Sequence, residues 1–191
     1  MSKSAITAAP ILPVLAERWS PRSFDETYEL SHHDLLSILE AGRWAPSANN
    51  LQPWRFSVGL RGDKVFATIV ENLMSWNAAW APKGSAIIVV SGVVKNHEGV
   101  ENRWAHFDSG IATANILTQA HELGLHAHVI AGVEFDKLGP ALGHGDHLQG
   151  LVGIVIGKVA PADKLEGPLF EREVATRVRL ELDELVIDGT I

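Results

Sequence analysis

Residues 45–54 read Ala-Pro-Ser-Ala-Asn-Asn-Leu-Gln-Pro-Trp. Pro46 and Pro53 each fix their own backbone and push the preceding residue away from helical geometry. Between them stand the hydroxyl of Ser47, the amides of Asn49, Asn50 and Gln52, and several backbone N–H groups. Such a rigid polar ledge can grip a flat, heteroatom-rich ring by its edges, although the same residues also suit a stiff helix-to-strand connection. Near the N-terminus, Arg18-Trp19-Ser20-Pro21-Arg22 sets two arginines four apart around a serine. Near the other end, Arg177-Val178-Arg179 places two arginines on one side of an extended segment, because side-chain direction repeats every second residue. A guanidinium engages two oxygens of a phosphate at once. Either pair alone fits a solvated surface. Together with the ledge, on a chain of net charge −7, they point to a ligand with a phosphate at one end and a planar heterocycle at the other.

Composition removes several other chemistries. Cysteine is absent, which excludes disulfides, thiol nucleophiles, iron–sulfur clusters and cysteine-based zinc sites. The acidic balance argues against a broad nucleic-acid surface. No apolar run approaches the roughly 20 residues of a membrane span, and Met1–Pro13 is too weak for a secretory signal, so a cytoplasmic protein is expected. His121, His126, His128, His144 and His147 invite a metal reading. They fall on a helix, a strand and an acidic glycine-rich loop, so satisfied or exposed imidazoles are expected instead, with His128 near the ligand. Asp108 could be a general base, but an acid embedded in a helix is expected to be structural. Gly139–Gly145 lacks the strand–loop–helix context of a dinucleotide fingerprint.

The elements that must position these residues follow from pattern. Ser31 caps a helix to about Trp44, with Asp34 in its first turn. Arg55–Leu60 alternates as a half-buried strand, and Asp63 opens a helix to Met74. Ala86–Val94 is an almost continuous apolar run, hence a central strand buried on both faces. Trp104–Leu123 is the longest helical pattern, and Gly124 ends it as a left-handed cap. His126–Val133 reads as a strand, Phe135–Leu142 as a short helix and Leu151–Lys158 as a buried strand. Arg177–Ile187 alternates loosely, and such an apolar tail needs a sheet edge or a neighbouring subunit to cover it. The sum is one α+β domain over residues 1–191: a mixed, mostly antiparallel sheet of four or five strands with helices on both faces, and a flexible segment 1–13.

Arg18-x-Ser20-x-Arg22, Ala45-Pro46-Ser47-Ala48-x-Asn50-x-Gln52-Pro53-Trp54, Asn77-x-x-Trp80-Ala81-Pro82, Asp108-x-Gly110-x-Ala112-x-x-Asn115, Ile130-Ala131-Gly132 and Arg177-x-Arg179 resemble, in order and spacing, the nitroreductase family of FMN enzymes. The resemblance covers about Arg18 to Val186. It implies a three-layer homodimer with two flavins at the subunit interface and a tail, 168–191, exchanged across it. Arg18, Trp19, Ser20 and Arg22 would meet the phosphate and ribityl chain, joined by Arg177 and Arg179. Pro46, Ser47, Ala48 and Asn50 would meet the ring of the flavin bound mainly by the partner subunit. Asn77 would bond the ring's pyrimidine side, and Ile130, Ala131 and Gly132 would bring backbone to its N5 and O4. NADH or NADPH would be the co-substrate and a nitroaromatic or quinone the acceptor, in a ping-pong cycle; no catalytic side chain and no metal are implied. The alternatives are a flavin store without turnover and a specialised flavin-dependent dehydrogenase or dehalogenase. Trp19 and Trp80 depart from basic residues found at these positions in relatives, so Trp80 is expected to shape the pocket.

Overall fold

Four strands, β1 (Trp54–Leu60), β2 (Ala86–Val93), β3 (His126–Ile130) and β4 (Leu148–Gly157), form one sheet in the spatial order β1-β2-β4-β3. The computed structural model describes residues 3–189; the pairs 1–2 and 190–191, parts of the expected leading segment and tail, lie outside the described residues. Every strand pair among the described residues is antiparallel, where the sequence allowed a mixed sheet of four or five strands. The reason is topological. β2 and β3 run parallel to each other through a helical crossover, but β4 inserts between them and separates the two.

The helices are α1 (Pro13–Glu17), α2 (His32–Arg43), α3 (Lys64–Glu71), α4 (Ser75–Ala78), α5 (Ala105–Glu122), α6 (Phe135–Ala141), α7 (Gly167–Val174) and α8 (Leu182–Leu185). β2 shows why the sheet needs a layer on each side. Its Ala86, Ile88 and Val90 pack with Leu35 and Ile38 of α2 and Ile116 and Ala120 of α5. Its Ile87 and Val89 pack with Phe66 and Ile69 of α3 and Leu138 of α6. Ile38, Ile69 and Ile88 are fully buried; truncating any of them to alanine costs about 2–5 kcal/mol.

Capping follows the sequence. Ser31 Oγ accepts from Asp34 N–H at 3.0 Å, Asp63 Oδ1 accepts from Phe66 N–H at 2.7 Å, and Gly124 takes φ +72° after α5. Two elements stop earlier than their patterns suggest. α3 ends at Glu71 and β3 at Ile130, because the chains beyond them pair with each other. Leu73 bridges Val133, Met74 N–H donates to Gly132 O at 3.0 Å, and Glu134 N–H donates to Asn72 O at 2.9 Å. The tail also differs from a simple extended segment: Leu182–Leu185 forms a helical turn closed by a capping box between Glu181 and Glu184.

Candidate functional site

After α1 the chain turns extended at Arg18 and runs beside the end of β4. Phe24 bridges Val159, Asp25 N–H donates to Lys158 O at 2.9 Å, and Ala160 N–H donates to Ser23 O at 3.0 Å. The carboxylate of Glu173, on α7, accepts from the backbone N–H of Arg22 at 2.8 Å and of Ser23 at 3.2 Å. Glu173 is 2% exposed, so this clamp is shielded from water. α7 then delivers Arg177, whose Nη1 donates to Lys3 O at 2.7 Å and Ala16 O at 2.8 Å. Arg179 Nη1 donates to Val178 O at 2.8 Å. The N-terminal and C-terminal arginines are thereby drawn to one place.

The electrostatics carry the mark of that convergence. Burial, then Arg177 and Arg179, hold Arg18 below the usual guanidinium range. Burial first and Arg172 after it lower Arg22, against the attraction of Glu173. Burial and Arg179 lower Arg177. Among the described residues no carboxylate lies within ion-pair distance of Arg18, Arg177 or Arg179. Like charges gathered without a counter-ion are a site prepared for an anion.

β3 lies against this cluster. His126 and His128 are both pushed down to about 4, by burial first; His121 and Arg18 add to it at His126, and Arg22 and Arg18 at His128. His128 Nδ1 lies 2.7 Å from Pro21 O. A carbonyl only accepts, so Nδ1 carries the proton and the ring is neutral. Trp80 sits 4.6 Å from the His128 ring and 6.2 Å from Phe24. It is fully buried, so any shaping of the pocket by Trp80 comes from beneath. Two buried donors, Arg22 Nε and Trp80 Nε1, have no partner. Trp19 stands edge-on to His126 at 5.9 Å and under the Lys3 ammonium at 5.2 Å. Ser20 is half-buried.

Beyond β3, Asn77 Nδ2 donates to Gly132 O at 3.1 Å, and a Cβ on Gly132 would come within 2.5 Å of that nitrogen. Asn77 therefore holds the Ala131–Gly132 backbone with one amide proton, leaving its second N–H and its Oδ1 outside that bond. Ile130 is buried, whereas Ala131 is exposed.

The ledge lies elsewhere in the subunit. Asn49, Asn50 and Gln52 take φ of +50°, +56° and +48°, a left-handed backbone that side chains rarely adopt. Side chains help hold it: Ala48 N–H donates to Asp108 Oδ2, Gln52 N–H to Ser47 Oγ, Gln52 Nε2 to Asn50 O and Arg55 Nη1 to Gln52 O, each at 3.0 Å. Asp108, on α5 and 3% exposed, is the structural acid expected of it. Pro46 and Asn50 point to solvent, and Ser47 and Ala48 are half-buried. Their bonds run to α5 and within the loop, not to the arginines. Glu173 and the Phe24–Trp80–His128 stack went unforeseen; the run Gly167-Pro168-Leu169-Phe170 followed by Glu173-Val174 was the available signal for α7, since proline opens helices.

A family model described as "Nitroreductase family" matches residues 15–79 and 61–158. A solved oxidoreductase containing FMN superposes with a TM-score of 0.87 at 36% identity, covering 94% of this chain and 93% of its own. A nitroreductase candidate from Desulfovibrio desulfuricans, solved with FMN, superposes with a TM-score of 0.76 at 26% identity, covering 97% of this chain and 99% of its own. The CLA biosynthesis enone reductase of Lactiplantibacillus plantarum is 24% identical over 184 residues, covering 77% of this chain and 84% of its own.

Proposed function

Because the chain belongs to the nitroreductase family, we propose that it is a homodimeric oxidoreductase moving electrons from NADH or NADPH, through bound FMN, to a small electron-poor acceptor such as a nitroaromatic or quinone. One observation carries the cofactor: Arg18, Arg177 and Arg179 gather beside the half-buried Arg22 with no carboxylate at ion-pair distance of the three among the described residues. A phosphate supplies the negative charge that this cluster lacks.

When bound, FMN would supply two-electron redox chemistry between the nicotinamide and the acceptor. The chain supplies position and polarity. Arg18, Ser20, Arg22, Arg177 and Arg179 hold the phosphate and ribityl chain, with Trp19 as an apolar wall. The Ile130–Ala131–Gly132 backbone faces the ring edge, and Asn77 keeps it there through Gly132 O. Neutral His128 donates its one ring proton to Pro21, so it orients the arginine segment and is not an acid in the reaction. The outward ledge of Pro46, Ser47, Ala48 and Asn50 serves the flavin of the second subunit. No side chain need exchange a proton for a hydride to move.

An absorbance spectrum of the purified protein tests this, followed by identification of any released chromophore. Flavin bands near about 370 and 450 nm, FMN on denaturation and rapid anaerobic bleaching with NADH or NADPH are the expected results. Bound FMN that resists both nicotinamides would make the protein a flavin store. A protein that neither carries nor takes up FMN would sink the assignment.

A further inference from the structure

Residues 3–5, well ahead of α1, are bonded into the arginine cluster from outside. Lys3 O accepts from Arg177 Nη1 at 2.7 Å. Ala16 O, in the last turn of α1, accepts from the same Nη1 at 2.8 Å and from Ala5 N–H at 2.8 Å. The Lys3 ammonium crosses the face of the Trp19 ring, 5.2 Å from its centroid, and donates to Ala175 O at 2.5 Å. Lys3 also walls a hollow of about 340 Å³ with Trp19, Glu173 and Val174. The segment thus reaches from α1, over Trp19, to the chain that leaves α7 for Arg177.

These ties meet a specific cost. Burial, then Arg177 and Arg179, lower Arg18, which follows Ala16 by two residues. Like charges repel at this range, so something must offset their approach. Among the described residues no carboxylate does so for Arg177, and two carbonyl oxygens, of Lys3 and Ala16, do. Both bonds use Nη1. They leave the Nε–Nη2 edge outside them, the edge with which a guanidinium can grip two oxygens of one phosphate.

We propose that residues 3–5 are a strap that aims Arg177 at the cofactor's phosphate, with Lys3 as its positioning residue. The Lys3 carbonyl and Ala16 O hold one corner of the Arg177 guanidinium, and the Lys3 ammonium pins the strap across Trp19 to Ala175 O. The proposal deepens the FMN reading and rests on it. The strap acts through Arg177, so its effect falls on the phosphate end of the cofactor and spares the ring.

FMN and riboflavin differ by the phosphate alone, and fluorescence titration of both into protein freed of flavin is the test. The full chain should prefer FMN. A chain lacking residues 2–5 should lose about tenfold in FMN affinity, the scale of one charge-assisted hydrogen bond, with riboflavin binding retained as the sign that the site is folded. Lys3→Met should lose FMN affinity in the same direction by about threefold, and Lys3→Arg should restore it, because a guanidinium also stacks on an indole and donates to a carbonyl. An FMN preference as strong without residues 2–5 as with them would overturn the strap and leave the FMN reading standing. Equal losses of FMN and riboflavin would make the segment a general stabiliser. A full chain that binds FMN no better than riboflavin would remove the phosphate from the arginines, and the strap's role with it.

Discussion

The Glu173 carboxylate accepts from the backbone of Arg22 and Ser23 across about 150 positions of sequence, and two residues later its own chain reaches Ala175, whose carbonyl holds Lys3. One buried acid thus ties the Arg22–Ser23 backbone to α7, the helix that leads into Arg177 and Arg179. Glu173→Gln keeps the volume but removes the charge and one acceptor. FMN affinity should fall roughly tenfold, while riboflavin, which lacks the phosphate, should bind nearly as before. Fluorescence titration of both ligands reads this; equal losses would make Glu173 a residue of general folding only. The histidines make a pH prediction. In the unfolded chain His126 and His128 take up protons below about 6.5, whereas folded they stay neutral down to about 4. The unfolded state binds more protons in that window, so stability is full above it and declines as pH falls from about 6.5 to 4. His126→Phe should flatten the fall in the urea midpoint, and an unchanged profile would remove His126 as a cause.

At the scale of elements, the ledge stores strain that α5 holds in place. Three left-handed non-glycine residues, each costing on the order of 1–3 kcal/mol, are kept by a short list of bonds, of which Asp108 to Ala48 is the one that ties the loop to the core. Asp108→Ala leaves Ala48 N–H unpaired and should lower stability by about 1–3 kcal/mol, with protease cleavage appearing first within residues 46–53. Cleavage at unrelated loops would show that the ledge stands without Asp108. The same region shows what could be read beforehand. Ser31, Asp63 and Gly124 announced helix ends because capping is local chemistry, and the unbroken apolar run of β2 announced a strand buried on both faces. The early ends of α3 and β3 were not legible, since they depend on Leu73 meeting Val133 some 60 residues on. α1 and α4, of 5 and 4 residues, are too short to show a period. In the site, the arginines were legible because guanidinium pairs are rare on an acidic chain. The burial of Trp80 was not, as an indole reads alike whether it lines a mouth or packs beneath it.

The whole molecule leaves apolar surface that one subunit cannot cover. Val178 is 77% exposed, Leu180 62% and Ile187 89%, along the tail that carries α8. Trp44 at 73% and Phe107 at 67% stand out on α5 and the approach to the ledge. Burying such side chains is worth about 1.5–3 kcal/mol each, so the proposed second copy would cover them, and the ledge, bonded to α5, would then meet the flavin proposed for that copy. Truncation after Ala175 separates the two duties of the tail. It spares Glu173 and the 22–23 backbone but removes Arg177, Arg179 and the apolar segment. The truncated protein should sediment as a monomer and lose FMN. Arg177→Ala with Arg179→Ala, in the full chain, should lose FMN but stay dimeric, because the apolar residues remain. A truncated protein that is still a dimer would place the interface wholly on α5 and the ledge. A double variant that falls apart into monomers would mean that flavin, and not the apolar tail, holds the subunits together.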